Sequence, residues 1–253
     1  PCPRATGPAP GPPHRRETPP EPSAKGPAVD PAAQAAAVVF DHDGTLVDTV
    51  GPDFDACAAF CAEFGLPLSQ RLWADEICGH PDGLGRLFGT LRSSGRTHED
   101  DTALRKRLEA QWRRAFAPGR VHLLPGVTEL LDTLLSHGVR LAVASAADRH
   151  WVLRWLRHFE IADRFETVVS GDDVPHRKPH PAVYLEAAAR LGVPAGRCVA
   201  VEDSRIGVEA ARAAGMTVVA VPTAATRHSD YSGAHHVLPG GLPTLGWPLP
   251  ATG

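Results

Sequence analysis

The feature that most constrains the fold is a series of short apolar runs that alternate with helical patterns. The first run, residues 35–40, ends abruptly at Asp41, as a fully buried parallel strand does. The later runs cover residues 141–144, 167–169, 198–201 and 217–221. Strands and helices that alternate in this way predict an α/β fold with a Rossmann-like, doubly wound parallel sheet.

Apolar residues at helical spacing fill the gaps between these runs. The predicted helices cover residues 126–137, 149–158, 181–191 and 206–214. Gly138, Gly192 and Gly215 follow three of them, as expected where a helix ends. Right-handed crossovers place the carboxyl ends of parallel strands along one edge of the sheet. Polar residues at those ends can therefore meet although they lie far apart in sequence.

Residues 51–121 interrupt this rhythm. They carry helical patterns, at 54–64 and 102–116, but no convincing strand. We interpret 51–121 as a helical cap inserted into a core formed by residues 35–50 and 122–253. Ligands bind at the carboxyl ends of the strands in such folds, so a cap inserted there would roof the site.

Residues 1–34 are rich in Pro, Ala and Gly, a composition that cannot bury enough apolar surface to fold, and we predict a disordered tail. The chain has a net charge of -3 and no basic stripe, so nucleic acid and anionic membranes are not expected partners. No run approaches the ~20 apolar residues of a membrane span.

The cysteine usage bears on the compartment. The five cysteines are odd in number and lack paired zinc-binding spacing, so we interpret them as buried free thiols. Such thiols are typical of a reducing compartment, and we expect a cytoplasmic protein. We expect it to be a monomer or a weak dimer.

Two carboxylates follow the first strand, at Asp41 and Asp43. Phosphoryl transfer needs a nucleophile in line with the leaving oxygen and a donor that protonates this oxygen, and these roles suit Asp41 and Asp43 respectively. Gly44 permits a sharp turn at this point. The alternative is a simple turn or a fragment of a calcium loop. Alternation along the chain predicts that His42 points away from both acids.

Ser145 and Lys178 also fall at or beyond the ends of predicted strands. The Ser145 hydroxyl, with backbone N–H groups such as that of Ala146, can form an anion site at a strand–helix junction, although a helix N-cap is the simpler reading. Lys178 is one of only three lysines among 26 basic residues. Its compact charge suits a place between a carboxylate and a phosphate, the alternative being a solvated loop cation.

Glu202 and Asp203 follow the strand at 198–201. Neighbouring acids repel each other unless a cation is present, and hard oxygen ligands suit Mg²⁺. Together with Asp41 they would hold one metal ion against a phosphate. The alternative is that Asp203 caps a helix.

The four elements occur in one order, each at a strand end, and the combination resembles the haloacid dehalogenase superfamily. The motif K-P-x-P at Lys178–Pro181 and the motif E-D-S-x-x-G-V-x-A-A at Glu202–Ala211 resemble its subfamily I. The resemblance covers residues 37–222, and the long first gap is similar to that of members with a helical cap. It implies a phosphatase, related to β-phosphoglucomutase-like enzymes.

The resemblance assigns roles to these residues. It implies that Asp41 attacks phosphorus and becomes an aspartyl-phosphate, while Asp43 protonates the leaving alcohol and then activates water. Ser145, Ala146 and Lys178 would bind the phosphate. The Mg²⁺ cofactor would be held by Asp41, the backbone carbonyl of Asp43, and Asp203, with Glu202 adjacent. The expected substrate is a phosphorylated small metabolite of the sugar phosphate, phosphogluconate or phosphoglycolate type.

Three other activities are weighed against simple hydrolysis. β-Phosphoglucomutase-like members usually carry a His twelve residues after the nucleophile, where this chain has Asp53, which favours hydrolysis. Phosphonate hydrolysis needs a cap lysine, and the cap holds only Lys106. The dehalogenases proper lack an acid at the position of Asp43. A binding module with a vestigial site is the last alternative.

Within the cap, three basic residues are candidates for binding a second anionic group of the substrate. They are His80, Arg86 and Arg92. The alternative for each is an ordinary surface charge.

Overall fold

The computed structural model describes residues 35–80, 82–117 and 119–245, so the predicted tail lies outside the described residues. These residues form one parallel sheet in the order β3-β2-β1-β4-β5-β6. The strands are β1 Ala37–Phe40, β2 Arg140–Ala144, β3 Thr167–Val169, β4 Cys198–Glu202, β5 Thr217–Ala220 and β6 His236–Val237. The helices are α1 Val50–Glu63, α2 Gln70–Glu76, α3 Gly83–Ser93, α4 Asp101–Ala115, α5 Val127–Ser136, α6 Arg149–His158, α7 Ala182–Leu191 and α8 Arg205–Ala213.

The doubly wound parallel sheet predicted from the sequence is confirmed, and three elements were not predicted. Strand β6 is only two residues long and carries no apolar run. Helix α2 is seven residues long, and its N-cap is Ser69, whose hydroxyl accepts a hydrogen bond from the Leu72 N–H. Helix α3 contains three glycines, which weaken its helical signal.

The two faces of the sheet carry side chains of different size. The face that packs against α5 and α6 is built from large residues such as Phe40 and Val143. The opposite face, against α7 and α8, uses small residues such as Ala142 and Ala200, and alanines of those helices pack against it. Alternation along each strand thus buries both faces, which explains why the strands read as continuous apolar runs.

Helices α1–α4 lie between β1 and β2 in the chain and form most of a further hydrophobic cluster, to which Ala225 also belongs. Its largest members are aromatic, with the Phe60 ring 5.9 Å from that of Phe88 and the Phe54 ring 5.4 Å from that of Trp73. Among the described residues, no helix is long and apolar enough to cross a membrane. The domain boundaries at residues 51 and 121 stay a prediction.

Candidate active site

The sheet order places the predicted strand-end residues together. Strand β1 lies between β2 and β4, with Phe40 opposite Val143 on one side and Val201 on the other. Asp41, which follows Phe40, therefore reaches the carboxyl edge beside the ends of both neighbours. Its backbone N–H donates to the Val201 carbonyl at 2.9 Å, which extends the β1–β4 ladder to this residue. Such an edge, where the winding of the sheet reverses, is where α/β folds bind ligands.

Lys178 connects this edge to the loop before α7. Its ammonium donates three hydrogen bonds, to Asp41 Oδ1 at 2.5 Å, to Glu202 Oε1 at 2.6 Å and to the Ala144 carbonyl at 2.8 Å. The side chain is 2% exposed. Lys178 is thus a fully buried cation whose three donors are all used, and the alternative of a solvated loop cation is wrong.

Glu202 is held by protein groups on both carboxylate oxygens. Oε1 accepts from Lys178 and from the Tyr184 hydroxyl, the latter at 2.5 Å. Oε2 accepts from the hydroxyl and the backbone N–H of Ser204, at 3.0 and 3.3 Å. A Cβ at Gly207 would lie 1.9 Å from Oε1, so only glycine leaves room for this carboxylate. Glu202 is therefore a fixed anion that orients Lys178.

Asp203 differs because its buried Oδ2 has no hydrogen-bond partner among the described residues. A buried carboxylate oxygen without a partner is costly unless a cation binds it. Ligand atoms of Asp41, Glu202 and Asp203 lie within 4.8 Å of one another. Because Ser204, not Asp203, caps α8 by accepting from the Gly207 N–H, the capping alternative for Asp203 is wrong. These hard oxygen donors fit a divalent metal ion such as Mg²⁺.

The turn after Asp41 makes room for Asp203. Gly44 has φ of +82°, and a Cβ there would lie 2.2 Å from Asp203 Oδ2. Glycine is thus required at this position both by the backbone conformation and by the close approach of the carboxylate.

Electrostatics at this edge are dominated by negative charge. Burial, together with the charges of Glu202 and Asp43, raises the pKa of Asp41 to about 7 against the opposing effect of Lys178. Burial and the neighbouring acids raise the pKa of Asp203 well above its ordinary value. Burial alone would lower the pKa of Lys178, but Asp41 and Glu202 raise it instead. Four carboxylates around one ammonium form a site that a divalent cation would stabilise.

Asp43 accepts two hydrogen bonds on Oδ1, from Trp151 Nε1 at 2.8 Å and from the Thr49 hydroxyl at 2.7 Å. His42 Nδ1 lies 3.1 Å from Asp43 Oδ2. Burial would raise the pKa of Asp43, but His42 and the two donors lower it to about 2. The carboxyl group is therefore ionised at neutral pH.

The expectation that His42 points away from both acids is wrong for Asp43. Strand β1 ends at Phe40, and the chain then turns, with the Leu46 N–H donating to the His42 carbonyl at 3.0 Å. Strand alternation no longer applies in such a turn.

Ser145 is buried directly after β2, and its hydroxyl accepts from the Ala147 N–H at 3.0 Å. The N-cap position of helix α6 is Asp148, three residues later, so Ser145 is not its N-cap. Ser145 and Ala146 both line the cleft that contains Asp41 and Lys178. The structure thus brings the predicted phosphate-binding residues next to the predicted nucleophile.

A cleft of about 590 Å³ opens above these residues. Its lining includes Asp53, His80, Trp112 and Phe116, all from the segment between β1 and β2. Trp151 of α6 also lines the cleft. Thr49 and Trp151 were not identified from the sequence; the one available signal for Trp151 is its place in the first turn of the helix that follows Ser145.

The three proposed anion-binding residues divide into two groups. His80 lines the cleft. Arg86 instead pairs with Glu76, and Arg92 donates to Asp101 Oδ1 at 2.6 Å. Neither arginine lines the cleft, so the expectation is wrong for these two residues.

Asp53 occupies the position where the mutase-like relatives usually carry histidine. Its Oδ1 accepts from Trp112 Nε1 at 2.6 Å, and the Cys57 thiol lies 3.8 Å away. Burial raises the pKa of Asp53 to about 6, although the Trp112 hydrogen bond opposes this rise.

Comparisons with known proteins agree with this geometry. A family model described as haloacid dehalogenase-like hydrolase matches residues 38–221. Protein CbbY of Rhodobacter capsulatus is 35% identical over 213 residues, which cover 80% of this chain and 92% of that protein. Hexitol phosphatase B of Escherichia coli K12 is 34% identical over 194 residues, covering 75% and 84%.

A comparison with solved structures also finds CbbY. The structure of CbbY from Rhodobacter sphaeroides in complex with xylulose-(1,5)bisphosphate superposes with a TM-score of 0.65 at 28% identity, covering 84% of this chain and 96% of that one. The fold and these relatives define a phosphoric monoester hydrolase. The chain belongs to the haloacid dehalogenase-like hydrolase family.

Proposed function

We propose that the protein is a Mg²⁺-dependent phosphatase that hydrolyses a phosphorylated small metabolite through an aspartyl-phosphate on Asp41. The observation that carries this proposal is the meeting of Asp41, Lys178 and Asp203 at one sheet edge. Lys178 Nζ lies 2.5 Å from Asp41 Oδ1, and Asp41 and Asp203 offer oxygens within 4.8 Å of each other.

Mg²⁺ would be held by Asp41, the Asp43 backbone carbonyl and Asp203, and when bound it would neutralise charge on the phosphate. Glu202 stays a proposed ligand, although its four hydrogen bonds support a role in positioning Lys178. A divalent cation at this place would offset the mutual repulsion of the acidic residues Asp41, Asp203 and Glu202.

In the first step the free carboxylate oxygen of Asp41 attacks phosphorus, and the bond to the leaving oxygen breaks as that oxygen takes a proton from Asp43. Because Asp43 is ionised in the metal-free, substrate-free site, it must first bind this proton, which the negative charge of an incoming phosphate favours. Ser145, the Ala146 N–H and Lys178 bind the phosphate oxygens and offset the charge that develops on them. In the second step Asp43 takes a proton from water, which attacks phosphorus and restores the Asp41 carboxylate. Trp151 and Thr49 orient Asp43 for both proton transfers.

The two alternatives are less well supported. The mutase alternative requires a group at the position of Asp53 that assists phosphoryl transfer between two hydroxyls, and Asp53 is instead bonded to Trp112. A vestigial site would not be expected to retain a buried Lys178 with all three donors paired. The four cysteines of the described part of the chain are free thiols, which supports the proposal of a cytoplasmic enzyme.

The test is hydrolysis of p-nitrophenyl phosphate with Mg²⁺ and with EDTA. We expect turnover that requires the metal and falls at least about 10³-fold in Asp41→Asn. Asp55→Asn, the same change at an exposed position of α1, should retain activity. Turnover that survives Asp41→Asn, or no turnover of any phosphate ester, would contradict the proposal. Glucose 1-phosphate supplied with its bisphosphate tests the mutase alternative directly.

A further inference from the structure

The segment between β1 and β2 contributes little positive charge to the lining of the cleft. The described residues that line it from the segment between β1 and β2 include no lysine or arginine. Their only charged side chain away from Asp41 and Asp43 is Asp53. The part of the substrate beyond the phosphate therefore meets a wall that offers one negative charge.

Several cations of this segment lie outside the cleft lining, and three of the arginines are paired with acids. Arg86 pairs with Glu76 and Arg92 with Asp101. Arg107 pairs with acids on either side of it, Glu63 and Glu99 at 2.6 and 2.7 Å. Lys106 is exposed on α4 and does not line the cleft.

Arg177 is the one arginine that lines the cleft among the described residues, and it belongs to the core. Its Nη2 donates to Asp148 Oδ1 at 2.6 Å and lies 3.6 Å from Asp172 Oδ1. Two carboxylates already face this guanidinium, so it offers little net positive charge to a second anion.

Asp53 has no cation within ion-pair distance among the described residues. One of its oxygens accepts from Trp112 Nε1, and the side chain lines the cleft. A carboxylate on the substrate near Asp53 would place two like charges together in a partly buried cleft, which is unfavourable. A hydroxyl group would instead donate a hydrogen bond to Asp53.

The remaining wall suits the carbon skeleton of a polyol or sugar. Phe116 and Trp151 contact each other edge-on with centroids 4.9 Å apart, and Trp112 lies on the same lining. Aromatic faces of this kind pack against C–H groups while polar groups take the hydroxyls. His80 Nδ1 accepts from the Asp82 N–H, which leaves Nε2 available to a hydroxyl.

We infer that the leaving group is an uncharged polyol or sugar, whose hydroxyls bond to Asp53 and whose skeleton packs on Trp112, Phe116 and Trp151. Substrates with a second anionic group, whether a carboxylate or another phosphate, are disfavoured by Asp53. This inference rests on the proposed phosphatase activity and narrows its substrate class.

A matched pair of substrates tests the inference. Glucitol 6-phosphate and 6-phosphogluconate differ only at the far end of the chain, where a CH₂OH group replaces a carboxylate. We expect kcat/KM for glucitol 6-phosphate to exceed that for 6-phosphogluconate by about tenfold or more at neutral pH. The comparison uses the wild-type enzyme with Mg²⁺, with p-nitrophenyl phosphate as the reference substrate.

Two variants assign the discrimination to Asp53. Asp53→Asn keeps an oxygen acceptor for Trp112 and removes the charge, so kcat/KM for 6-phosphogluconate should rise. The ratio of kcat/KM for glucitol 6-phosphate to kcat/KM for 6-phosphogluconate should therefore fall at least about threefold. Asp55→Asn makes the same change on the exposed side of α1 and should leave the ratio unchanged. In the Asp41→Asn protein, quenching of tryptophan fluorescence should show tighter binding of glucitol 6-phosphate than of 6-phosphogluconate.

The outcomes distinguish a failure of the inferred substrate class from a failure of the proposed phosphatase activity. If p-nitrophenyl phosphate is hydrolysed but 6-phosphogluconate equals or exceeds glucitol 6-phosphate, or neither is a substrate, the inference is overturned and the phosphatase stands. An unchanged ratio in a folded Asp53→Asn variant overturns the role of Asp53. If no ester is hydrolysed, the proposed function falls and the inference falls with it.

Discussion

Replacing Lys178 with methionine should destabilise the metal-free protein strongly. The side chain keeps its length but loses three hydrogen bonds, two of them to the buried carboxylates Asp41 and Glu202. Each hydrogen bond to a charged group contributes roughly 1.5–3 kcal/mol, and removal of one partner from a buried ion pair costs roughly 3–5 kcal/mol. Partial protonation of the acids and entry of water limit the loss, so we expect the free energy of unfolding to fall by about 4 kcal/mol.

The assay is urea unfolding in EDTA, monitored by circular dichroism. The midpoint should fall while the slope stays the same, because the surface exposed on unfolding is unchanged. In a thermal scan the same loss corresponds to about 8–16 °C for a chain of this size. Lys106→Met, at an exposed lysine of α4, is the matched control and should shift the unfolding free energy by less than about 0.5 kcal/mol.

A double variant isolates the electrostatic part of this loss. Adding Glu202→Gln to Lys178→Met removes one of the two stranded charges, so the double variant should be more stable than Lys178→Met by about 1–2 kcal/mol. A loss below about 1 kcal/mol for Lys178→Met, or no recovery in the double variant, would refute the reasoning that Lys178 neutralises a buried acidic cluster.

Three further predictions concern other parts of the structure. Trp151→Phe removes the hydrogen-bond donor to Asp43 but keeps an aromatic ring in the cleft lining, so kcat should fall about tenfold. Trp155→Phe is the control and should leave kcat unchanged, because Trp155 Nε1 has no partner among the described residues. Gly44→Ala places a Cβ 2.2 Å from Asp203 Oδ2 and should lower the free energy of unfolding in urea by more than about 2 kcal/mol. Gly215→Ala is the control, because Gly215 has φ of +79° but no atom within 4 Å of the added Cβ. It should lower the free energy of unfolding only by the backbone strain, about 1 kcal/mol. Burial would raise the pKa of Asp173, but Ser170, Arg149 and Arg190 lower it to about 2, so its carboxylate stabilises the fold above the unfolded pKa and this contribution is lost as the pH falls toward 2. Asp173→Asn should therefore cost about 2 kcal/mol at neutral pH and close to nothing near pH 2, and a difference that stays constant with pH would contradict the assignment; exposed Asp163→Asn is the control.

Much of the site could be predicted because strand ends are visible in the sequence. Asp41, Ser145 and Lys178 fall at or beyond the ends of short apolar runs, and the parallel topology determines that they meet. The unusual retention of lysine at 178 in an arginine-rich chain also indicated a specific role. These signals are local, and topology converts them into proximity.

Contacts between side chains of different elements could not be predicted in the same way. The hydrogen bond from Trp151 to Asp43 joins residues 108 positions apart, and no periodicity records it. The pairing of Arg86 and Arg92 with surface acids depends on how α2, α3 and α4 pack. The orientation of His42 depends on the turn that begins after β1, where strand alternation ends.

The central claim is that Asp41 itself receives the phosphoryl group. The most direct measurement is mass spectrometry of peptides after acid quench of the Asp43→Asn variant with p-nitrophenyl phosphate and Mg²⁺. Because p-nitrophenolate leaves without a proton, Asp41 should be phosphorylated, while the loss of the base at position 43 slows attack by water. The account predicts one added phosphoryl group on the peptide containing Asp41 and none in Asp41→Asn. Phosphorylation of another residue, or turnover of the wild-type enzyme with no phosphorylated peptide in any variant, would contradict it.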